Sequence, residues 1–367
     1  MIEAKNLILK LEKNNINFFC GVPDSILKNF TNYLENYKKK KHLICANEGG
    51  AVGLAIGNYL SSKKITCVYM QNSGLGNSVN PLVSVAHKKI YSIPMLLLIG
   101  WRGAPKLNDE AQHKKQGLIT KEMLKLMDIK FLELRNKIDL KKIPHLIDYG
   151  VKNKTPVAII VKKNVITGRN IQKKIKKVNV DRSVFINELL KLSDNKCKIV
   201  SSTGYISRDL FRLSNNNFLK RKNFYMIGGM GHAQMVAYGV ANFSKNKIIC
   251  LDGDGSIIMH LGSSPIFAGY NKNNLKYILL NNGSHESVGG QFCISKSINF
   301  KKLSRSLGFK RYFLLKRDRN INNILNKFLK SKLNSFLEVK INSDNLESLP
   351  RIRDVLKVKD NFMSIKK

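Results

Sequence analysis

Apolar residues gather in short unbroken runs, and the stretches between the runs carry helical spacing. Phe18 to Pro23, His42 to Ala46, Ile65 to Met70, Pro94 to Gly100 and Pro156 to Val161 read as strands covered on both faces, as in a parallel sheet. Helices are predicted over 2–14, 26–37 and 51–60, the second capped by Asp24 or Ser25 and the third opened by Asn47-Glu48-Gly49-Gly50. Asn72 to Asn77 reads as a turn into a further helix, and 101–120 as a polar, irregular segment before a helix at 121–127. The rhythm then restarts. A helix at 184–192, a strand at Lys198 to Ser202, the glycine-rich Gly228 to His232 and a helix reaching Asn242 come first. Strands Ile248 to Leu251 and Tyr277 to Leu280 follow, joined by a crossover helix within 257–270, then a helix at 323–333 and a strand at 335–341. This alternation predicts an α/β fold of two doubly wound parallel-sheet domains, 1–165 and 182–367, with a linker at 166–181.

Composition changes little in that picture. The net charge is +39, from 64 Lys and Arg against 25 Asp and Glu. The lysines are spread along the whole chain, their runs lack interleaved aromatics, and no RNA- or DNA-binding motif accompanies them, which argues against a nucleic-acid partner. The positive field would help to attract an anionic substrate. Six cysteines show no paired spacing and read as free thiols in a reducing compartment, without zinc or disulfides. The N-terminus opens an amphipathic helix rather than a signal peptide, and no run approaches the roughly 20 apolar residues of a membrane span, so a cytoplasmic protein with no membrane partner is expected.

The chemistry concentrates around Leu251-Asp252-Gly253-Asp254-Gly255-Ser256 and Leu280-Asn281-Asn282-Gly283-Ser284. A strand-helix-strand unit brings both strand ends to one edge of a sheet, where Asp254 and an Asn side-chain carbonyl meet. Two oxygen ligands beside a glycine-rich turn suit a hard cation such as Mg²⁺, with a phosphate completing its shell. Two ordinary turns ending two strands would give the same spacing. The turn Gly74-Leu75-Gly76-Asn77-Ser78-Val79 starts like a dinucleotide fingerprint, but Val79 replaces its third glycine and the first acid downstream is Asp109, which argues against a nicotinamide or flavin site.

Gly253-Asp254-Gly255, followed after 25 residues by Asn281-Asn282, resembles the thiamine-diphosphate motif. With Gly21 to Ser25, Asn47 to Ala51, Gln71 to Asn77, Gly100 to Gly103, Asp109 to His113, Ser202 to Tyr205 and Gly229 to Ala233, the chain is similar over nearly its whole length to the phosphonopyruvate decarboxylase family of thiamine-diphosphate-dependent 2-oxo acid decarboxylases. Sulfopyruvate decarboxylases are its close cousins. Larger relatives carry a middle domain, for which the linker here has no room. Ala104-Pro105-Lys106 and the tail from Leu349 to Arg353 depart from the family pattern.

The resemblance implies decarboxylation of 3-phosphonopyruvate to 2-phosphonoacetaldehyde, in phosphonate biosynthesis, with thiamine diphosphate and Mg²⁺ as cofactors. It implies that Asp254, Asn282 and the Ser284 carbonyl hold the metal, and that Thr203, Gly204, Gly255 and Ser256 touch the diphosphate. Met230 would prop the bent cofactor and the Gly228 carbonyl would accept a hydrogen bond from its aminopyrimidine. Glu48 would share a proton with the pyrimidine, helped by burial against apolar neighbours. Asp24 and His113 match positions of proton-transfer and orienting groups. Arg102, Lys114 and His285 are the first candidates to face the substrate, with Arg208 and Arg351 behind them. Glu48 and Asp254 would belong to different chains of one site, so a homodimer is the smallest active unit implied. Sulfopyruvate or another 2-oxo acid is the alternative substrate. A non-catalytic subunit or a basic nucleic-acid binder is the remaining alternative in kind.

Overall fold

The computed structural model describes residues 1–168, 179–216, 222–270, 273–343 and 349–364. It divides into two units, Met1–Lys173 with Val288–Gln291, and Lys174–Ser287 with Phe292–Lys367. Most of the linker expected at 166–181 lies outside the described residues.

The first unit contains strands β1 (Ile2–Glu3), β2 (Phe18–Gly21), β3 (His42–Ile44), β4 (Thr66–Gln71), β5 (Leu96–Gly100), β6 (Lys130–Leu134), β7 (Val157–Val161) and β8 (Ile166–Thr167). Its helices are α1 (Ala4–Glu12), α2 (Lys28–Tyr37), α3 (Glu48–Ser62), α4 (Leu75–Pro81), α5 (Ala111–Leu126) and α6 (Ile143–Lys152). Six strands form one sheet in the order β3-β2-β4-β5-β7-β6, every neighbouring pair parallel, while β1 and β8 pair apart from it. All residues of β5 and β7 are buried, as the unbroken apolar runs require of strands covered on both faces. Asn47 caps α3, its Oδ1 accepting the Gly50 N–H at 2.7 Å.

The second unit contains β9 (Lys198–Ser201), β10 (Phe224–Tyr225), β11 (Ile248–Gly253), β12 (Leu275–Asn281), β13 (Ser284–His285), β14 (Gln291–Phe292, shared with the first unit), β15 (Arg311–Leu315) and β16 (Ser335–Lys340). Its helices are α7 (Arg182–Leu192), α8 (Tyr205–Asn216), α9 (Ala233–Asn242), α10 (Asp254–Met259), α11 (Ser263–Ala268), α12 (Phe300–Ser306), α13 (Ile321–Lys330) and α14 (Val355–Met363). The sheet order is β10-β9-β11-β12-β16-β15, again all parallel. Counted within each unit, both sheets read 2-1-3-4-6-5. The chain is therefore α/β with two doubly wound sheets, and the segment from Thr167 to Arg182 is too short for a middle domain.

Three expectations change. The segment at 101–120 is not irregular throughout, because α5 starts at Ala111. Its buried face is Gly117, Thr120 and Leu124, too weakly apolar to mark a helix by hydropathy. The turn at Gly74 to Asn77 is helical, a short 3₁₀ turn (Asn72–Gly74) running into α4. The crossover at 257–270 is two short helices, α10 and α11, broken around His260. Among the described residues no helix is long and apolar enough to cross a membrane.

Candidate active site

In an open parallel sheet the crevice for ligands lies beyond the strand C-termini, where the strand order reverses. In the second unit that point is at β9 and β11, with β12 next in the sheet. Register pairs Gly253 with Leu280, so Asp254 leaves β11 beside the Asn281-Asn282 turn that ends β12. Asp254 is 4% exposed, and its Oδ2 accepts the Gly283 N–H at 3.1 Å and the Ser295 hydroxyl. Burial raises its carboxyl above the ordinary range, against those hydrogen bonds. Among the described residues no ion pair neutralises it. The Asn282 Oδ1 accepts the Ser284 N–H at 2.9 Å, so both oxygens are tied to consecutive amides of one turn. A buried anionic oxygen without a cation and a half-buried amide oxygen beside it fit Mg²⁺ by the hardness of the donors.

Beside this pair, a Cβ on Gly255 would lie 3.2 Å from both the Met230 Cε and the His285 Cε1. Met230, Gly255 and His285 thus line one cradle, which a side chain at position 255 would crowd. Burial pushes the His285 imidazole down to about 4, so it is neutral near pH 7 and offers hydrogen bonding without charge. Ser256 turns its hydroxyl inward to accept the Gly231 N–H at 3.1 Å. It fixes the glycine turn that carries Met230. Thr203 and Gly204 follow β9, and a Cβ on Gly204 would approach the Ser287 Oγ at 3.2 Å. Gly228 lies in the same glycine turn as Met230, between β10 and α9. The metal-type and diphosphate-type candidates therefore converge on one edge of the second sheet.

In the first unit the candidates also follow strand C-termini. Glu48 is the first residue of α3, after β3, and is 5% exposed. Its neighbours are not all apolar: Asn77 donates from Nδ2 to its Oε2 at 2.7 Å, and a Cβ on Gly74 would lie 2.5 Å from its Oε1. Asp24, after β2, is fully buried, and its Oδ2 accepts the Ile26 and Leu27 N–H groups. Its Oδ1 has no hydrogen-bond partner, and burial pushes the carboxyl up to about 6 despite the nearby Arg102 guanidinium.

Arg102, after β5, is committed elsewhere. Its Nε donates to the Asp109 Oδ2 at 2.8 Å, its Nη1 to the Ser25 Oγ at 3.0 Å and its Nη2 to the Glu110 Oε1 at 3.3 Å. Burial alone would raise Asp109, yet Arg102 and the Gly103 N–H hold it down to about 2. Polar atoms of Asp109, Glu110 and His113 lie within 4.8 Å of one another, and the Arg102 guanidinium bridges the two carboxylates. His113 and Lys114 sit in the first turn of α5, His113 half-buried and Lys114 exposed. Sequence reading missed Asn77, although it lies within the glycine motif weighed as a dinucleotide site. It also missed Ser295, which no local signal marks.

The N-terminal TPP binding domain of the thiamine pyrophosphate enzymes (thiamine pyrophosphate being thiamine diphosphate) matches residues 3–124, and the C-terminal TPP binding domain matches 201–339. A phosphonopyruvate decarboxylase of Streptomyces viridochromogenes is 30% identical over 329 residues, 84% of this chain and 81% of that protein. One of Streptomyces hygroscopicus is 28% identical over 84% of this chain and 80% of its own. The sulfopyruvate decarboxylase subunit alpha of Methanococcus maripaludis is 34% identical over 40% of this chain and 87% of its own. The chain belongs to the family of thiamine-diphosphate-dependent decarboxylases, enzymes that work with thiamine diphosphate and Mg²⁺.

Proposed function

We propose that this enzyme decarboxylates 3-phosphonopyruvate to 2-phosphonoacetaldehyde and CO₂. The reading rests on the similarity to two phosphonopyruvate decarboxylases across four-fifths of their length. Sulfopyruvate is the second reading, favoured by the 34% identity to a sulfopyruvate decarboxylase subunit over a shorter stretch.

Thiamine diphosphate, when bound, supplies the electron sink for loss of CO₂ from a 2-oxo acid. Asp254, the Asn282 side-chain carbonyl and the Ser284 main-chain carbonyl would hold Mg²⁺, and Thr203, Gly204, Gly255 and the backbone of Ser256 would meet the diphosphate. Met230 would support the cofactor and the Gly228 carbonyl would accept a hydrogen bond from it. Glu48 would hold a proton toward the pyrimidine, its Oε2 fixed by Asn77 so that Oε1 would face it. Asp24, with its free Oδ1 and a carboxyl that titrates at about 6, moves the proton that completes the aldehyde. His113 orients the substrate. Because Asp109 and Glu110 occupy Arg102, the phosphonate falls to Lys114, and Arg102 positions the segment that carries it. His285, being neutral, lines the substrate pocket without binding the anion's charge.

The active species is a homodimer or larger, each site taking Glu48 from one chain and Asp254 from another. Six cysteines, none in a disulfide, suit a reducing compartment, and we assign the enzyme to the cytoplasm. The test compares kcat/KM for phosphonopyruvate, sulfopyruvate and pyruvate with Mg²⁺ and cofactor supplied. Phosphonopyruvate should lead the other two by at least tenfold. A lead for sulfopyruvate favours the second reading, and equal rates on pyruvate defeat both.

A further inference from the structure

Arg182 is placed against ordinary preference three times over. It is the first residue of α7, where the helix macrodipole disfavours a cation. It is 1% exposed, so the guanidinium is almost wholly desolvated. Its Nη2 has no hydrogen-bond partner. A residue that departs from local rules in this way is held there by what it does for its neighbours.

Its contacts lead to the metal-type candidates. Nη1 donates to the Glu286 Oε2 at 2.7 Å, and the same Oε2 accepts from the Asn282 Nδ2 at 3.0 Å. On the other side Nε reaches the Asp209 Oδ2 at 3.4 Å, Ser183 donates to that oxygen at 2.7 Å, and Arg212 holds the Asp209 Oδ1 at 2.7 Å. Two cations and two carboxylates balance within this network. Joining α7 to α8 needs only Arg182 and Asp209. Glu286 is the additional member, and it lies four residues beyond Asn282 in the loop after β12.

We propose that Arg182 and Glu286 are positioning residues for the metal site, acting through the Asn282 amide. The two ends of a carboxamide are nearly isosteric, so its orientation is set by its partners. Glu286 accepts only from the NH₂ end, and the Ser284 N–H binds only the carbonyl end, so Oδ1 is turned to the turn that also holds Asp254. Arg182 offsets the charge of the shielded Glu286 carboxylate through their 2.7 Å pair. This inference rests on the reading of Asp254 and Asn282 as metal ligands.

The test is a double-mutant cycle on the dissociation constant of Mn²⁺, read by electron paramagnetic resonance on the full chain with thiamine diphosphate present. Glu286→Ala should weaken Mn²⁺ by about 10- to 100-fold, the range for partners that orient a metal ligand. Added to Asn282→Ala, it should cause no further loss, because its effect passes through that side chain. The neutral pair Arg182→Met with Glu286→Gln keeps an acceptor for Asn282 and leaves no unpaired charge, so it should bind Mn²⁺ within about threefold of the parent. Wild-type affinity in Glu286→Ala, additive losses in the double variant, or a neutral pair as weak as Glu286→Ala would each overturn the positioning role. Asp254→Asn separates the two levels of argument. If the parent shows no Mn²⁺ signal that this change removes, the metal-site reading itself fails and the role of Arg182 and Glu286 falls with it.

Discussion

Asp24 meets two demands that pull against each other. Its Oδ2 is fixed by two backbone N–H groups, while its Oδ1 has no partner in a fully buried setting. Burial pushes the carboxyl up to about 6 from an ordinary value near 3.8. The folded chain therefore holds this proton more tightly than the unfolded chain. The stabilisation is complete below about pH 4 and is lost as the pH rises through about 6, leaving a cost of roughly 3 kcal/mol at neutral pH. Asp24→Asn cannot ionise. Relative to the parent it should gain about 1–3 kcal/mol between pH 4 and pH 7.5 in urea unfolding, while losing decarboxylase activity. His42 and His285, both pushed down to about 4 by burial, make acid destabilising in the opposite sense, but they are present in both proteins and cancel in the difference. The same stability difference at both pH values would show that Asp24 does not titrate in this range.

Elements fix the remaining proton group. Glu48 starts α3 because Asn47 caps that helix, and its carboxylate lies against the 3₁₀ turn that follows β4. A Cβ on Gly74 would sit 2.5 Å from the Glu48 Oε1, so the turn must be a glycine for the carboxylate to stay where Asn77 holds it. Gly74→Ala should fold, since the displaced atoms end a flexible side chain, yet kcat should fall by about 10- to 100-fold, the cost of moving a reacting group by about an ångström. An unchanged kcat would mean that the place of Glu48 is not critical. Strands covered on both faces wrote themselves as unbroken apolar runs, and Asp254 and Asn282 stood out because they follow two of them. α5 hid because its buried face is Gly117, Thr120 and Leu124. The pairing of Arg102 with Asp109 hid because it depends on how the loop after β5 folds back, which no spacing encodes. Helix α6 went unread although Ile143, Leu146, Ile147 and Gly150 recur at helical spacing along its buried face.

At the scale of the molecule, both units repeat the strand order 2-1-3-4-6-5, and each carries its candidate groups beyond the C-termini of its strands. The candidates are divided between the units: Glu48 and Asp24 lie in the first, and Asp254, Asn282 and Met230 in the second. The proposed homodimer joins the first unit of one protomer to the second unit of its partner. It makes a quantitative demand. Glu48→Gln and Asp254→Asn, each prepared as a pure homodimer, place one defect in every site and should be nearly inactive. When equal amounts are refolded together, half of the dimers pair one chain of each kind, and each such dimer has one intact site and one doubly defective site. Activity should therefore return to about a quarter of the parent value on random pairing. A site built within a single chain gives no such recovery, because every chain in the mixture still carries its own defect. The control puts both substitutions on one chain and mixes it with the parent. Random pairing then leaves about a quarter of the sites with Glu48 intact but Asp254 changed, a quarter the reverse and a quarter with both changed, so activity should fall to about a quarter of the parent value at equal total protein, where a single-chain site would keep about half. Recovery in the first mixture, read by kcat and lost at dilutions where the dimer dissociates, is the outcome that a composite site requires.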